Sequence, residues 1–215
     1  MPRTILRRCR GSNGRPPLGK VFRFVHPFHA PLSMHPPFPV LFSQEQIQRR
    51  TFELVREIQG VIDDEPPVLI AVIEGARPFA RLIQQGLADG LPVHEVRAKS
   101  YEGTESTGEV KITPVGGEAP DVRGKRVLLL EDIVDTGRTM AALREYYDDQ
   151  GAAEVRVATL LSKPSRRVVD VQVEHIGFEI PDEFVLGFGM DLDGRYRELR
   201  DVVVYDADVE RAHGA

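Results

Sequence analysis

The sequence predicts an α/β fold, a central, mostly parallel twisted sheet flanked by helices. Two observations indicate it: short aliphatic runs of strand length alternate with amphipathic segments of helix length, and polar clusters follow the runs. Runs that are apolar throughout are typical of parallel strands buried on both faces. In such sheets ligands bind beyond the carboxyl ends of the strands, so these polar clusters are the candidate functional residues.

The first patterned segment, SQEQIQRRTFELVREIQG, predicts a helix of about four turns. Ser43 and Gln46 have the spacing of a capping box, and Gly60 suits the helix end. Residues 68–73, VLIAVI, predict a buried strand, and FARLIQQGLADG predicts a helix that ends near Gly90. These two segments predict the first βα unit.

The alternation continues along the chain. A third apolar segment lies around PVHEVRA, and the polar stretch SYEGTESTGEVKI predicts a long loop followed by a strand. RVLLLED then predicts a strand, TMAALREYYDDQG a helix and EVRVATLL another strand. We assign residues 40–210 to one domain on this pattern.

Residues 1–39 are expected to form a disordered basic extension. The first 44 residues contain seven Lys and Arg and no acid, and they show neither hydrophobic periodicity nor a signal-peptide core. A nucleic-acid-binding arm and an organellar transit peptide are the alternatives for this segment. It is excluded from the fold prediction.

The bulk properties exclude several classes of function. The chain carries a net charge of −5 although its N-terminus is basic, so its body is acidic, which argues against general nucleic-acid binding. No apolar run approaches the roughly 18 residues that span a bilayer, so no membrane segment is expected. Cys9 is the only cysteine. It excludes an internal disulfide and fits a cytoplasmic protein.

The stretch VLLLEDIVDTGRTM, residues 127–140, carries the strongest chemical signal. A strand delivers Glu131 and Asp132 to the sheet edge, where they can accept hydrogen bonds from a ribose diol or hold a divalent cation. The turn DTGRT supplies hydroxyls and backbone N–H groups at a helix start, which suits a phosphate monoester. A plain turn with a helix cap, Asp135 being the cap, is the structural alternative. A P-loop nucleotidase is excluded because no G-x-x-x-x-G-K-[ST] motif occurs.

Three motifs together resemble one known family. EDIVDTGRTM resembles the phosphoribosyl-pyrophosphate motif of the type I phosphoribosyltransferases. KSYEGTESTGEVKI resembles the mobile active-site loop of the hypoxanthine-guanine members, and FEIPDEFVLGFGMDLDGRYREL resembles their purine-binding hood. The resemblance extends from Val40 to about Val204. It implies the type I phosphoribosyltransferase fold and a Mg²⁺-dependent transfer of the phosphoribosyl group from phosphoribosyl pyrophosphate to hypoxanthine or guanine. It also implies a homodimer or homotetramer.

The same resemblance implies roles for the residues at the purine end. Asp135 is the expected general base, which takes the proton from a purine ring nitrogen. Lys163 is expected to donate to the 6-oxo group. Phe184 is expected to stack on the base, and Val185 to offer backbone hydrogen bonds to its far edge.

At the phosphoribosyl pyrophosphate end, Glu131 and Asp132 match the acids near the ribose hydroxyls. Together with Asp191 they are the candidate metal ligands, and Arg197 matches a pyrophosphate-binding arginine. The other matched residues belong to three further parts of the site. The 5′-phosphate cradle contains Thr136, Gly137, Arg138 through its backbone, and Thr139. The pyrophosphate loop contains Gly75, through its backbone, and the lid contains Ser100 and Tyr101.

Glu74 departs from the family pattern, in which a lysine is common at this position. If backbone amides alone bind pyrophosphate, function survives the change. If the lysine matters for charge or for subunit contact, affinity or assembly is altered.

Two other functions stay open at this point. One is a non-catalytic regulator of the same fold, which would bind nucleic acid through residues 1–33. The other is a xanthine-preferring transferase. Adenine is disfavoured because its amino group would face Lys163, a donor against a donor.

Overall fold

The structure, a computed structural model, describes residues 37–61, 65–87, 91–100, 110–117 and 119–213. The strands in chain order are β1 Val40–Phe42, β2 Val68–Val72, β3 Val93–Ser100, β4 Val110–Val115, β5 Arg126–Val134, β6 Glu154–Ser162, β7 His175–Glu179, β8 Val185–Leu186 and β9 Val202–Val204. The helices are α1 Gln44–Gln59, α2 Arg77–Leu87, α3 Arg138–Asp149 and α4 Ala207–Ala212.

A six-stranded sheet with the order β4-β3-β2-β5-β6-β7 forms the centre of the fold. Its neighbouring strands are parallel except for β4, which pairs antiparallel with β3. The predicted α/β architecture is therefore confirmed. The predicted extension of residues 1–39 lies almost entirely outside the described residues, so its prediction stands untested.

Helices cover both faces of this sheet because its central strands are apolar throughout. Leu128 and Leu130 of β5 belong to the core cluster that contains the buried residues of α1 and α2. Val127 and Leu129 belong to the cluster that contains the buried residues of α3. Successive side chains on a strand point to opposite faces, so β5 contributes to both cores.

The predicted start of α1 is confirmed by its contacts. The backbone N–H of Gln46 donates to the Ser43 hydroxyl at 3.3 Å, and the Gln46 side chain accepts from the N–H of Ser43 at 2.8 Å. Gly60 follows as the C-cap. This reciprocal capping box fixes where α1 begins.

A second sheet, with the order β1-β9-β8, was not predicted as a sheet, although its strand β8 lies in the segment that was matched to the purine-binding hood. Its strands are antiparallel and only two or three residues long. It packs with a small core of its own, made by Phe38, Leu186, Tyr196 and Val203. Among the described residues, no helix combines the length and apolar character that crossing a membrane requires.

Candidate active site

Most of the predicted functional residues lie at the carboxyl ends of three neighbouring strands. Residues 131–139 close β5 and lead into α3, Lys163 follows β6, and Phe184 lies after β7. Because β5, β6 and β7 are adjacent and parallel, these segments leave the sheet at the same edge. The sheet topology therefore supports the predicted location of the site.

Glu131 and Asp132 occupy different environments although they are adjacent in β5. Glu131 is 9% exposed, and its Oε2 has no hydrogen-bond partner in the described part of the chain. Burial raises the pKa of the Glu131 carboxyl well above its ordinary value, and the charge of Asp132 raises it further. Asp132 faces the loop after β2, where a Cβ at Gly75 would come within 1.9 Å of its Oδ2.

Replacing Glu131 with Gln is expected to weaken the pH dependence of the free energy of unfolding. Above the ordinary pKa of 4.5, folded Glu131 keeps a proton that the unfolded chain loses. Its contribution to stability therefore declines as the pH rises from that value through the raised folded pKa. Gln has no such equilibrium. In urea denaturation between about pH 5 and 8, the variant should gain stability relative to the parent as the pH rises.

The matched control for this prediction is Glu145→Gln, which neutralises an exposed acid on α3. The free energy of unfolding of this variant should differ from that of the parent by a constant amount across the pH range. A constant difference for Glu131→Gln as well would contradict the assignment of a buried, proton-retaining carboxyl.

The turn between β5 and α3 leaves the helix start open to an anion. Gly137 is the N-cap, and no side chain caps α3 there, so the alternative that Asp135 caps this helix is wrong. Gly137 has a φ of 86°, and a Cβ on it would approach Val169 O to 2.9 Å. Both facts require glycine. The uncapped N–H groups at this end can bind a negatively charged group.

The other residues of the predicted 5′-phosphate cradle are Thr136, Arg138 and Thr139. The backbone N–H of Arg138 lies 3.5 Å from the Thr136 hydroxyl, and Thr136 O accepts from the N–H groups of Val168 and Val169. Thr139 lies in the first turn of α3. The segment after β6 thus holds the turn in place by backbone hydrogen bonds.

Two arginines that were not predicted to be functional residues hold the end of β5. Arg166 Nε donates to Asp135 Oδ1 at 3.0 Å. Arg167 donates to the backbone oxygens of Val134 and Asp135 and, at 2.9 Å, to Ser162 Oγ. Partial burial lowers the pKa of the Arg167 guanidinium. The sequence signal was the pair of arginines shortly after the β6 strand, which was left without a role.

The predicted purine-binding residues differ in exposure. Lys163 is a buried cation whose Nζ lies 3.7 Å from Asp182 Oδ1. Phe184 is 52% exposed and packs edge-on against Tyr205. Val185 is buried in β8. An apolar ring left half in water suits stacking on a flat ligand.

The loop after β2, residues 73–76, contacts the segment that carries Asp191 and Arg197. A Cβ on Gly189 would approach Gly75 O to 2.1 Å, so the two backbones are in close contact. Arg197 donates to Gly189 O at 2.7 Å and to Asp191 Oδ1 at 2.7 Å, while Asp191 Oδ2 accepts from the N–H of Gly194. Arg197 and Asp191 therefore lie beside the predicted pyrophosphate loop, as one ion pair.

Glu74 lies in a network of four charges. Its carboxylate accepts from Arg97 at 2.8 Å and from Arg77, and Arg77 also makes two hydrogen bonds to Glu95 at 2.7 and 2.8 Å. The hydrogen bond from Arg97 holds the pKa of Glu74 below its ordinary value. Two arginines thus neutralise the carboxylate that stands where the family commonly has a lysine.

Replacing Glu74 with Gln is expected to lower the KM for phosphoribosyl pyrophosphate several-fold. The change removes a negative charge from the predicted pyrophosphate loop and frees Arg77 and Arg97 from it. Steady-state kinetics should show the decrease shrinking as salt is raised, with the KM for the purine unchanged. The control is Glu53→Gln, which removes an exposed acid paired with Arg50 on α1. A higher KM for phosphoribosyl pyrophosphate would contradict this account of Glu74.

The remaining predicted positions are only partly described. Ser100 ends β3 and pairs with Val110 of β4. Tyr101 lies outside the described residues, so the predicted lid remains a prediction. The three candidate metal ligands do not form one cluster, because the described ranges contain no group of three or more His, Cys, Asp or Glu that could hold a metal ion.

The chain is similar to known proteins over most of its length. A family model described as phosphoribosyl transferase domain matches residues 43–193. The hypoxanthine-guanine phosphoribosyltransferase of Streptococcus thermophilus (strain CNRZ 1066) is 36% identical over 171 residues, 79% of this chain and 94% of that protein. That of Bacillus subtilis (strain 168) is 38% identical over 161 residues, 74% of this chain and 88% of that protein. A crystal structure of the enzyme from Bacillus anthracis aligns with a TM-score of 0.72 at 34% identity, covering 78% of this chain and 98% of that one.

Proposed function

The chain belongs to the phosphoribosyltransferase family, and we propose that it is a purine salvage enzyme of the hypoxanthine-guanine type. The reaction would move the 5-phosphoribosyl group from phosphoribosyl pyrophosphate to hypoxanthine or guanine. The bond from ribose C1′ to a pyrophosphate oxygen breaks, a bond from C1′ to a purine ring nitrogen forms, and pyrophosphate leaves.

One observation carries the proposal: the uncapped start of α3 and the predicted purine-binding residues Lys163 and Phe184 lie at the same edge of the sheet. The turn of residues 135–139 ends β5 with an uncapped helix start. Lys163, at the end of β6, is buried and cationic, and Phe184 presents half of its ring to solvent. A ligand that joins a phosphate to a flat base with a polar edge has the chemistry that this combination recognises.

Each group has a task in this mechanism. The N–H groups of residues 137–139 would bind the 5′-phosphate, and Glu131 and Asp132 the ribose hydroxyls. The amides around Gly75, with Arg197, would bind the pyrophosphate. Asp135 would accept the proton of a purine ring nitrogen, and Lys163 would donate to the 6-oxo group.

Mg²⁺ is the metal that we propose for the reaction. This ion usually takes one or two carboxylates together with waters and substrate phosphates. The acids here fit a site of that kind, because Glu131 keeps a buried Oε2 without a hydrogen-bond partner in the described part of the chain. Glu131 and Asp132 would hold one such ion at the ribose end, where Glu131 would give up its proton, and Asp191 would hold another at the pyrophosphate end. When bound, Mg²⁺ supplies neutralisation of the charge on the leaving pyrophosphate.

The choice of base is tested by a product assay. The protein is incubated with phosphoribosyl pyrophosphate, Mg²⁺ and, separately, hypoxanthine, guanine, xanthine and adenine, and nucleoside monophosphates are separated by chromatography. Product is expected with the 6-oxo purines hypoxanthine and guanine and not with adenine, whose amino group would meet Lys163 donor to donor. Product from adenine alone would overturn the assignment. A homodimer or homotetramer in the cytoplasm remains part of the proposal.

A further inference from the structure

The two predicted purine contacts are connected by a row of side chains with alternating charge. Asp135 accepts from Arg166 Nε at 3.0 Å, and Arg166 Nη1 donates to Asp182 Oδ2 at 3.3 Å. Asp182 Oδ1 in turn lies 3.7 Å from Lys163 Nζ. The row therefore begins at the proposed proton acceptor and ends at the proposed donor to the 6-oxo group.

Stability does not account for this row. The side chains of Arg166, Asp135 and Asp182 are 46%, 38% and 54% exposed. Exposed ion pairs contribute little to folding, because water screens them and side-chain entropy opposes them. The row connects the segments that follow three strands: the turn after β5, the segment after β6 and the connection from β7 to β8.

The separation at Lys163 matters for ligand binding. At 3.7 Å the Asp182 carboxylate balances the charge of the buried ammonium group, but the distance is too long for a hydrogen bond. Asp182 thus keeps Lys163 in place without using its N–H donors, which stay available to a carbonyl oxygen. At the other end, Arg166 holds Asp135 as an acceptor.

Building on the proposed function, we propose that Arg166 and Asp182 are positioning residues that hold Asp135 and Lys163 as a matched acceptor and donor for a 6-oxo purine. Asp135 and Lys163 together recognise the purine edge on which a ring N–H lies beside a carbonyl oxygen. Asp135 accepts from the N–H, and Lys163 donates to the carbonyl. Arg166 fixes the acceptor for proton transfer, and Asp182 fixes the donor for binding.

The test compares Arg166→Gln and Asp182→Asn in the full-length protein with controls from the opposite end of the sheet. The controls are Arg156→Gln and Glu154→Gln, which break an ion pair of 2.7 Å at the start of β6. Arg166→Gln should lower kcat about 10-fold, because a misplaced base transfers the proton poorly. Asp182→Asn should raise the KM for hypoxanthine about 10-fold, because Lys163 loses its orientation. The KM for phosphoribosyl pyrophosphate should stay within about twofold in both variants, a split that general loosening of the fold would not produce.

Arg166→Lys is the rescue variant, because lysine keeps the charge between Asp135 and Asp182. It should recover at least half of the kcat lost in Arg166→Gln and should keep the parent's thermal stability. Values for Arg166→Gln and Asp182→Asn within twofold of their controls would overturn the inference. An equal rise in the KM of both substrates would also overturn it. If the parent protein forms no nucleotide, the proposed function itself fails; if the parent is active and only these effects are missing, the inference alone fails.

Discussion

Replacing Asp135 with Asn is expected to lower kcat by about 10²–10⁴, the usual loss when a general base is removed. This corresponds to roughly 3–5 kcal/mol of transition-state free energy. Asn keeps an oxygen that can accept from Arg166, so the turn after β5 should retain its geometry. Substrate binding should therefore change little. Steady-state and single-turnover kinetics would locate the loss in the chemical step.

The control for Asp135→Asn is Asp121→Asn, which removes an exposed acid near Lys125 at the opposite end of β5. It should leave kcat and thermal stability unchanged. A kcat for Asp135→Asn close to that of the parent would remove Asp135 from the role of proton acceptor and would require another base near Lys163.

Gly75→Ala is expected to raise the Kd for phosphoribosyl pyrophosphate by about 10², the scale of loss when binding groups are misplaced by about 1 Å. A Cβ at Gly75 would lie 1.9 Å from Asp132 Oδ2 and 2.5 Å from its Cγ. The loop cannot simply retreat, because its backbone also contacts Gly189. Either the loop or Asp132 must move, and both belong to the same proposed substrate site. Titration calorimetry with phosphoribosyl pyrophosphate and Mg²⁺ would measure the loss.

The effect at Gly75 is steric and does not depend on a special backbone conformation, since Gly75 is absent from the glycines with positive φ. Gly60→Ala is the matched control: its φ is −71° and a Cβ there meets nothing closer than 3.4 Å. It should bind phosphoribosyl pyrophosphate as the parent does. Parent-like binding by Gly75→Ala would show that this loop is not part of the pyrophosphate site.

The central sheet could be predicted from the sequence because its elements are defined by local patterns. Apolar runs such as VLIAVI and RVLLL predict a strand that is buried on both faces. The capping box at Ser43 fixes a helix start within three residues of sequence. The small second sheet could not be predicted in this way. Its pairing of β1 with β9 joins segments from opposite ends of the domain, and its strands are too short to show a period.

In the candidate site, too, the local features could be predicted and the long-range contacts could not. The turn of residues 135–139 is contiguous, so its chemistry was visible in the sequence. The contacts of Arg166 with Asp135 and Asp182 join residues 31 and 16 positions apart, and no local pattern specifies them. The network around Glu74 likewise depends on Arg97, which is brought near by the pairing of β2 with β3. The different burial of Glu131 and Asp132 follows from strand alternation, but which of them faces the core depends on tertiary packing.

The central claim is that this chain joins a purine base to the phosphoribosyl group. The most direct test is a time course of the full-length protein with hypoxanthine, phosphoribosyl pyrophosphate and Mg²⁺, in which inosine 5′-monophosphate and pyrophosphate are both quantified. The two products should appear in equal amounts, and omitting hypoxanthine should abolish both. It would be contradicted if no nucleotide formed while the protein bound nucleic acid in a salt-sensitive manner that deletion of residues 1–33 removed.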